Sequence, residues 1–146
     1  MNTMEIHWTK NLDSEIYRDA LNIRYAVFID EQHVPEELEI DDLESTSIHG
    51  VLYRDKKAIA TVRVYPIEAN KYKIQRVAVL KEYRSQGVGR LLMQEVENKI
   101  KCSKDLQLIL DSQNYAIPFY ERLGYQISSS EFMDAGIPHH TMVKNI

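Results

Sequence analysis

The residues best suited to chemistry stand between an apolar stretch and an amphipathic helix. The apolar stretch includes Val77, Ala78 and Val79, and the loop after it contains Arg84, Ser85, Gln86, Gly87, Val88, Gly89 and Arg90. A buried strand that runs into a glycine loop and then a helix aims free backbone N–H groups and the positive end of the helix dipole at one point. Such a point binds phosphate, and the two arginines would add positive charge.

Two common phosphate-binding patterns do not fit this loop. A P-loop needs a following Gly-Lys-Ser/Thr, which is absent, and a dinucleotide-binding turn needs a third glycine where Leu92 stands. A glycine-marked strand-to-helix turn with surface arginines remains the alternative that involves no ligand.

The remaining pattern, Arg84-x-x-Gly87-x-Gly89 after the apolar strand, resembles the pyrophosphate-binding motif of the GNAT family of acyl-CoA-dependent N-acetyltransferases. A second segment, from Asn114 to Tyr125, resembles the family's Asn…Ala-x-x-Phe-Tyr-x-x-x-Gly-Phe/Tyr helix after its fifth strand. The two segments occur in the order that the family uses. Ser85 is a departure, because glycine is frequent at that position.

Segments near both ends are similar to the ElaA-type subgroup of small GNAT proteins. They include Glu31-Gln32-x-x-Pro35 and the run that ends in Gly136-Ile137-Pro138-His139. The resemblance implies an α/β fold, the GNAT (acyl-CoA N-acyltransferase) fold, with a mixed central sheet flanked by helices. It also implies direct transfer of an acetyl group from acetyl-CoA to an amine of a small molecule or peptide.

The resemblance assigns roles to specific residues. Acetyl-CoA would be held by Val77, Ala78, Val79, Arg84, Ser85, Gln86, Gly87, Val88, Gly89, Arg90, Asn114 and Tyr120. The amine acceptor would contact Arg24, Glu31, Gln32 and His139. Arg24 and His49 could equally be satisfied structural groups.

Two proton transfers need a catalytic group. A lysine-like amine has a pKa of about 10.4, so its neutral form costs about 4.6 kcal/mol at neutral pH. Glu31 is the first candidate for the base and His139 the second, since histidine as a residue type titrates near neutral pH. Tyr120 occupies the family's acid position and would protonate the leaving thiolate. The rival hypothesis is a catalytically silent acyl-CoA-binding or sensing module.

Charge is unevenly distributed. The chain has 146 residues and a net charge of -4, but residues 36–44 hold six acids and no base, so the remainder carries 18 bases and 16 acids. The total argues against a general nucleic-acid binder. The acidic segment is either a solvated loop or an entrance that attracts cationic amines.

The remaining composition suggests a cytoplasmic protein. A lone Cys102 cannot form an internal disulfide, no apolar run approaches the ~18 residues of a membrane span, and the first residues do not form a signal peptide. No metal is expected, because adjacent His139 and His140 would face opposite sides of a strand. A homodimer is a family-level expectation.

Periodicity predicts the elements of one domain over residues 1–146. Helices are expected at residues 15–30, with Asp13 as the cap, and at residues 88–100 and 115–123. Strands are expected at residues 5–10, 47–53, 58–65, 72–80, 106–110, 125–128 and 140–143.

Overall fold

The structure, a computed structural model, describes residues 3–101 and 105–146, so Cys102 lies outside the described residues. Eight strands form one sheet: β1 (Met4–Thr9), β2 (Ile48–Arg54), β3 (Lys57–Glu68), β4 (Lys71–Val79), β5 (Gln107–Gln113), β6 (Gln126–Ile127), β7 (Phe132–Asp134) and β8 (Ile137–Asn145). The helices are α1 (Glu15–Arg24), α2 (Glu36–Glu39), α3 (Val88–Ile100) and α4 (Ile117–Arg122).

The strand order is β1-β2-β3-β4-β5-β8-β6, and β7 pairs with β8. The β4–β5 pair is parallel and the other strand pairs are antiparallel. The mixed sheet predicted from the sequence is therefore confirmed.

Helices cover both faces of the sheet. Leu52 packs in the cluster formed with α3, whereas its neighbour Val51 packs in the cluster formed with α1. Consecutive strand residues point to opposite faces, so α1 and α3 lie on opposite sides of β2. The apolar stripe of α3 consists of Val88, Leu92, Met93, Val96 and Ile100, all buried.

The first helix differs from its prediction at both ends. Ser14 caps α1 by accepting a hydrogen bond from the Tyr17 N–H, whereas the predicted cap, Asp13, donates its own N–H to the Asn11 side chain. After α1 the chain continues as a π-helix over Tyr25–Glu31. Segments of this kind are frequent at functional sites.

Other boundaries shift by a few residues. A 3₁₀ turn at Asn114–Ala116 occupies the expected start of the helix at residues 115–123. The short strand β7 was not expected from the sequence. Gly124, with φ of +98°, ends that helical region as predicted, because glycine adopts this conformation without a steric penalty.

An extra residue in β4 bends that strand. The β3–β4 register runs from Thr61 opposite Ala78 to Arg63 opposite Gln75, so β4 has one residue more than β3 between these pairs. Arg76 lies there with φ of +56°, a region that costs a non-glycine residue roughly 1–2 kcal/mol. A bulge of this kind bends a strand and increases its twist.

The side chain of Arg76 holds the bulge against the acidic segment. Its Nε lies 2.9 Å from Glu39 Oε2, and its Nη2 lies 3.2 Å from Asp41 Oδ2. The same Nη2 donates to the carbonyl oxygens of Leu38 and Glu39 at 3.3 and 3.1 Å. These contacts offset the backbone strain at the bulge.

Two further arginines, Arg24 and Arg63, are buried beside the bulge. Each pairs with one of the two carboxylates that contact Arg76. Arg24 Nε lies 2.8 Å from Glu39 Oε2 and its Nη1 lies 2.8 Å from Glu44 Oε1. Arg63 Nη1 lies 2.6 Å from Glu44 Oε2 and 2.8 Å from Asp41 Oδ1. Buried charges persist when they are paired in this way, and removing one partner costs about 3–5 kcal/mol.

Glu44 is the centre of this cluster. Tyr17 donates its hydroxyl to Glu44 Oε1 at 3.0 Å, and His49 Nε2 donates to the Glu44 carbonyl at 2.8 Å. Burial opposes ionisation of the Glu44 carboxyl, but Arg24 and Arg63 outweigh it and lower the pKa to about 2. Glu44 therefore stays ionised inside the protein.

We expect Glu44→Gln to lower the free energy of unfolding by about 3 kcal/mol at pH 7, because it leaves two buried arginines short of a counter-charge. The wild type loses the same charge when Glu44 is protonated, between its unfolded pKa of about 4.3 and its folded pKa of about 2. The difference between the two proteins should therefore shrink as the pH falls from about 5 to about 2.

Urea denaturation over that pH range measures the difference. Glu37→Gln, which removes an exposed acid of the same segment, is the control and should change stability by less than about 0.5 kcal/mol. A Glu44→Gln difference that does not vary with pH would contradict the assignment.

Candidate functional site

A cavity of about 690 Å³ opens where β4 and β5 separate. Residues 71–74 of β4 pair with residues 107–110 of β5, but β4 continues to Val79 and β5 to Gln113 without pairing with each other. Residues of both separated ends line the cavity. A cavity of this volume accommodates a small-molecule ligand.

Most of the site residues predicted from the sequence line this cavity. They are Gln32, Val77, Ala78, Val79, Arg84, Ser85, Gly87, Val88, Gly89, Arg90, Tyr120 and His139. The fold thus brings together residues from the end of the π-helix, β4, α3, α4 and β8.

Backbone polar groups of β4 face the opening. The Leu80 N–H donates to the Ile59 carbonyl on the β3 side. Because successive residues of a strand alternate in direction, the polar groups of Val79 and Val77 point toward the gap. The Val79 carbonyl is indeed reached from that side, by Arg84 Nε at 2.9 Å. An extended ligand could hydrogen-bond along this edge.

The N-terminus of α3 forms the far wall of the cavity. Gly87 caps the helix with φ of +79°, a conformation that glycine adopts without strain. Gly89 leaves room for Phe119, since a Cβ there would lie 3.2 Å from the Phe119 ring and the ring would have to shift slightly. The first N–H groups of α3 have no partners within the helix, and Arg84 and Arg90 line the same region. The arrangement can hold a phosphate group.

Tyr120 lines the cavity. Its side chain is buried, and its ring contacts those of Phe119 and Tyr125 edge-on, at 5.0 and 5.9 Å between centroids. Within the part of the chain that the structure describes, its hydroxyl has no hydrogen-bond partner. Burial, and to a smaller extent Tyr115, raises the pKa of Tyr120 well above its ordinary value. The phenol therefore stays protonated and can act as a hydrogen-bond donor.

His139 lines the cavity, and one of its ring nitrogens is engaged by a backbone carbonyl. Its Nδ1 lies 2.7 Å from the Ile137 carbonyl, and its ring stacks on Phe132 at 5.8 Å. A carbonyl can only accept, so Nδ1 carries the hydrogen and Nε2 of the neutral ring keeps its lone pair. This is the tautomer that a general base requires.

Glu31 and Gln32 connect the end of the π-helix to both sides of the cavity. Glu31 pairs with Arg84 through two hydrogen bonds of 2.8 and 2.9 Å. The Gln32 side-chain oxygen accepts a hydrogen bond of 2.8 Å from Gln113, at the end of β5. Glu31 does not line the cavity itself. Its carboxylate lies beside the opening because it pairs with Arg84, which does line the cavity.

Besides Glu31, three predicted site residues do not line the cavity. Arg24 is fully buried, and its guanidinium is used by Glu39 and Glu44, so we do not assign it to the acceptor. The other two have side chains engaged outside the cavity. Asn114 bonds to Glu131 and His140, and Gln86 bonds to Arg54 and the Glu82 carbonyl.

The acidic segment mainly serves the fold. Glu39, Asp41 and Glu44 pair with buried or half-buried arginines, as described above. Glu36 accepts the Tyr25 hydroxyl at 2.5 Å. Attraction of cationic amines, one of the two interpretations of this segment, would depend on the remaining exposed acids, Glu37 and Asp42.

Several cavity residues had been given no role in the site from the sequence, although some of them belong to the motifs described above. They are Val27, Phe28, Ile74, Gln75, Arg76, Tyr83, Leu110, Asp111, Ser112, Gln113, Tyr115, Ala116, Phe119 and Arg122. Those on β5 end a strand opposite the glycine loop, which is a usable signal in an α/β fold. Phe28 and Arg76 could not be assigned to the cavity in this way, because their position depends on the π-helix and the bulge.

Among the residues that the structure describes, no group of three or more His, Cys, Asp or Glu side chains is arranged to hold a metal ion. Among the helices of residues 3–101 and 105–146, none is both long and apolar enough to cross a bilayer.

Comparison with known proteins places these features in a family. Residues 12–146 match the family model described as an acetyltransferase (GNAT) domain. The uncharacterized N-acetyltransferase YjcF of Bacillus subtilis is 40% identical over 134 residues, which is 91% of this chain and 95% of that protein.

Solved structures share the fold. Escherichia coli ElaA superposes with a TM-score of 0.85 at 23% identity, over 99% of each chain. A GNAT family acetyltransferase from Elizabethkingia anophelis, solved with acetyl-CoA bound, has a TM-score of 0.66 at 14% identity over 98% of each chain.

Ser85 offers a test of the loop backbone. Its φ is +62°, where glycine is less strained than a residue with a Cβ. We expect Ser85→Gly to raise the free energy of unfolding by about 0.5–1 kcal/mol, measured by urea denaturation. Ser130→Gly, in a loop without a positive φ, is the control and should not stabilise. A destabilised Ser85→Gly protein would contradict this conformation.

Proposed function

Because the chain belongs to the GNAT family of acetyltransferases, we propose that it transfers an acetyl group from acetyl-CoA directly to an amine of a small molecule or peptide. One observation carries the proposal: the gap between β4 and β5 leads from the N-terminus of α3 to Tyr120 and His139 within a single cavity. This arrangement suits a long substrate with phosphates at one end and a thioester at the other.

The phosphate end of acetyl-CoA fits the loop before α3. Unpaired N–H groups of the first helical turn, together with Arg84 and Arg90, would hold the pyrophosphate. The pantetheine arm would lie along β4 and bond to the exposed backbone groups of Val77 and Val79. An N–H group of this edge would also polarise the thioester carbonyl, and donors fixed where negative charge develops are usually the largest catalytic contribution.

The acceptor amine would attack the thioester carbon as a neutral nucleophile. His139 Nε2 accepts the proton that the ammonium must lose, because His139 lines the cavity and its other ring nitrogen is already engaged by the Ile137 carbonyl. Glu31, the first candidate from the sequence, has both carboxylate oxygens on Arg84 instead. We therefore assign the base to His139.

The leaving sulfur needs stabilisation as the carbon–sulfur bond breaks. The new carbon–nitrogen bond forms at the same carbon, the nitrogen loses its second proton to solvent as the amide forms, and CoA leaves as a thiolate that takes up a proton. Tyr120 donates a hydrogen bond to the sulfur. Its raised pKa keeps the donor protonated but makes complete proton transfer to a thiolate more costly, so the final proton comes from solvent.

A free-thiol assay tests the function. The protein is incubated with acetyl-CoA and a panel of polyamines, amino sugars, amino acids and lysine peptides, and thiol release is measured. Release with at least one amine supports the proposal. Tight CoA binding without release from any amine favours the silent binding module.

Tyr120→Phe should lower kcat by about 10–100-fold, because the sulfur loses its donor, while the Kd for CoA changes less than about twofold. Tyr125→Phe is a matched control on the neighbouring ring, which does not line the cavity and whose buried hydroxyl has no partner among the described residues. It should keep full activity and equal or higher stability. Equal turnover in the wild type and Tyr120→Phe would remove Tyr120 from the mechanism.

His139→Gln should lower kcat by about 100-fold or more, since a positioned base contributes at least that factor in typical enzymes. Initial rates at saturating acetyl-CoA measure the effect. His140→Gln, whose side chain bonds to Asn114 rather than lining the cavity, is the control and should lose much less activity. Equal losses in the two variants would contradict the assignment.

A further inference from the structure

Every nitrogen of the Arg84 side chain is engaged at the cavity opening. Nε donates to the Val79 carbonyl at 2.9 Å, while Nη1 and Nη2 donate to the two Glu31 oxygens at 2.9 and 2.8 Å. The Glu31 carboxylate thus occupies both terminal nitrogens of the guanidinium. This is the edge with which arginine makes two parallel hydrogen bonds to a carboxylate or a phosphate. A phosphate at Arg84 would have to replace it.

The ion pair between Glu31 and Arg84 can compete with a phosphate for the guanidinium, but a phosphate can also displace it. Its geometry is bidentate, yet the two side chains are 40% and 35% exposed, and ion pairs in contact with water contribute little. A pyrophosphate brings more negative charge than one carboxylate and also meets the N-terminus of α3.

Displacing Glu31 from Arg84 would also change the contacts at the cavity opening. Glu31 and Gln32 tie the end of the π-helix to Arg84 on the β4 side and to Gln113 on the β5 side. Loss of the Arg84 contact leaves the Gln113 contact alone. The carboxylate is then free beside the cavity opening.

We propose that Glu31 and the phosphates of acyl-CoA compete for Arg84, so that CoA binding releases Glu31 from the cavity opening. This inference rests on the proposed function, because it takes acyl-CoA as the ligand. It identifies Glu31 as a positioning residue that responds to the co-substrate rather than as the catalytic base.

Calorimetric titration of the variants with CoA tests the competition. Glu31→Gln should bind CoA about threefold more tightly than the wild type, because the phosphates no longer displace a carboxylate. Binding of pantetheine, which lacks phosphate, should be unchanged. Glu37→Gln, which removes an exposed acid that has no basic partner among the described residues, should bind both ligands as the wild type does.

A double mutant separates competition from a general loss of negative charge. In an Arg84→Gln background, Glu31→Gln should have no further effect on CoA affinity if it acts through Arg84. An equal improvement in both backgrounds would show a general charge effect and overturn the proposal. So would CoA binding by Glu31→Gln that equals or falls below that of the wild type.

The outcomes also separate this inference from the proposed function. Absence of CoA binding by the wild-type protein would overturn both. Normal CoA binding and turnover by the wild type, with unchanged CoA affinity in Glu31→Gln, would overturn the competition alone.

Discussion

The cavity depends on the bulge at Arg76. A regular β4 could pair with β5 along its whole length, and the edge that now faces the gap would then be occupied by the sheet itself. The extra residue bends β4 away after Ile74. Its unfavourable backbone conformation persists because the Arg76 guanidinium is held by Glu39 and Asp41. The opening therefore depends on the ion pairs that the Arg76 side chain makes with Glu39 and Asp41.

The acidic segment and the arginines form one structural unit. Glu44 joins Arg24 on the first helix to Arg63 on β3, and both helix and strand pack next to the bulge. Such a network stabilises a specific arrangement only while all of its charges are paired. The net charge of -4 does not reveal this unit, because three acids of the segment, Glu39, Asp41 and Glu44, pair with buried arginines.

Sequence reasoning succeeded where a residue acts through its own backbone. Gly87 and the α3 helix follow from the local pattern, and the structure has both where the pattern predicts them. Sequence reasoning was less successful where several partners were available to one side chain. Arg24 was expected at the acceptor, but the fold gives it Glu39 and Glu44 as partners, which are 15 and 20 residues away in the chain.

The sequence by itself determined the order of helices and strands, the phosphate-suited loop and the family resemblance, because these depend on periodicity and on residue types at short spacing. Only the tertiary structure decided that β4 and β5 separate, that His139 lines the same cavity as the loop before α3, and that Glu31 faces Arg84. Those features arise from contacts between residues far apart in the chain, and the energy of a side chain depends on the partner that folding places beside it.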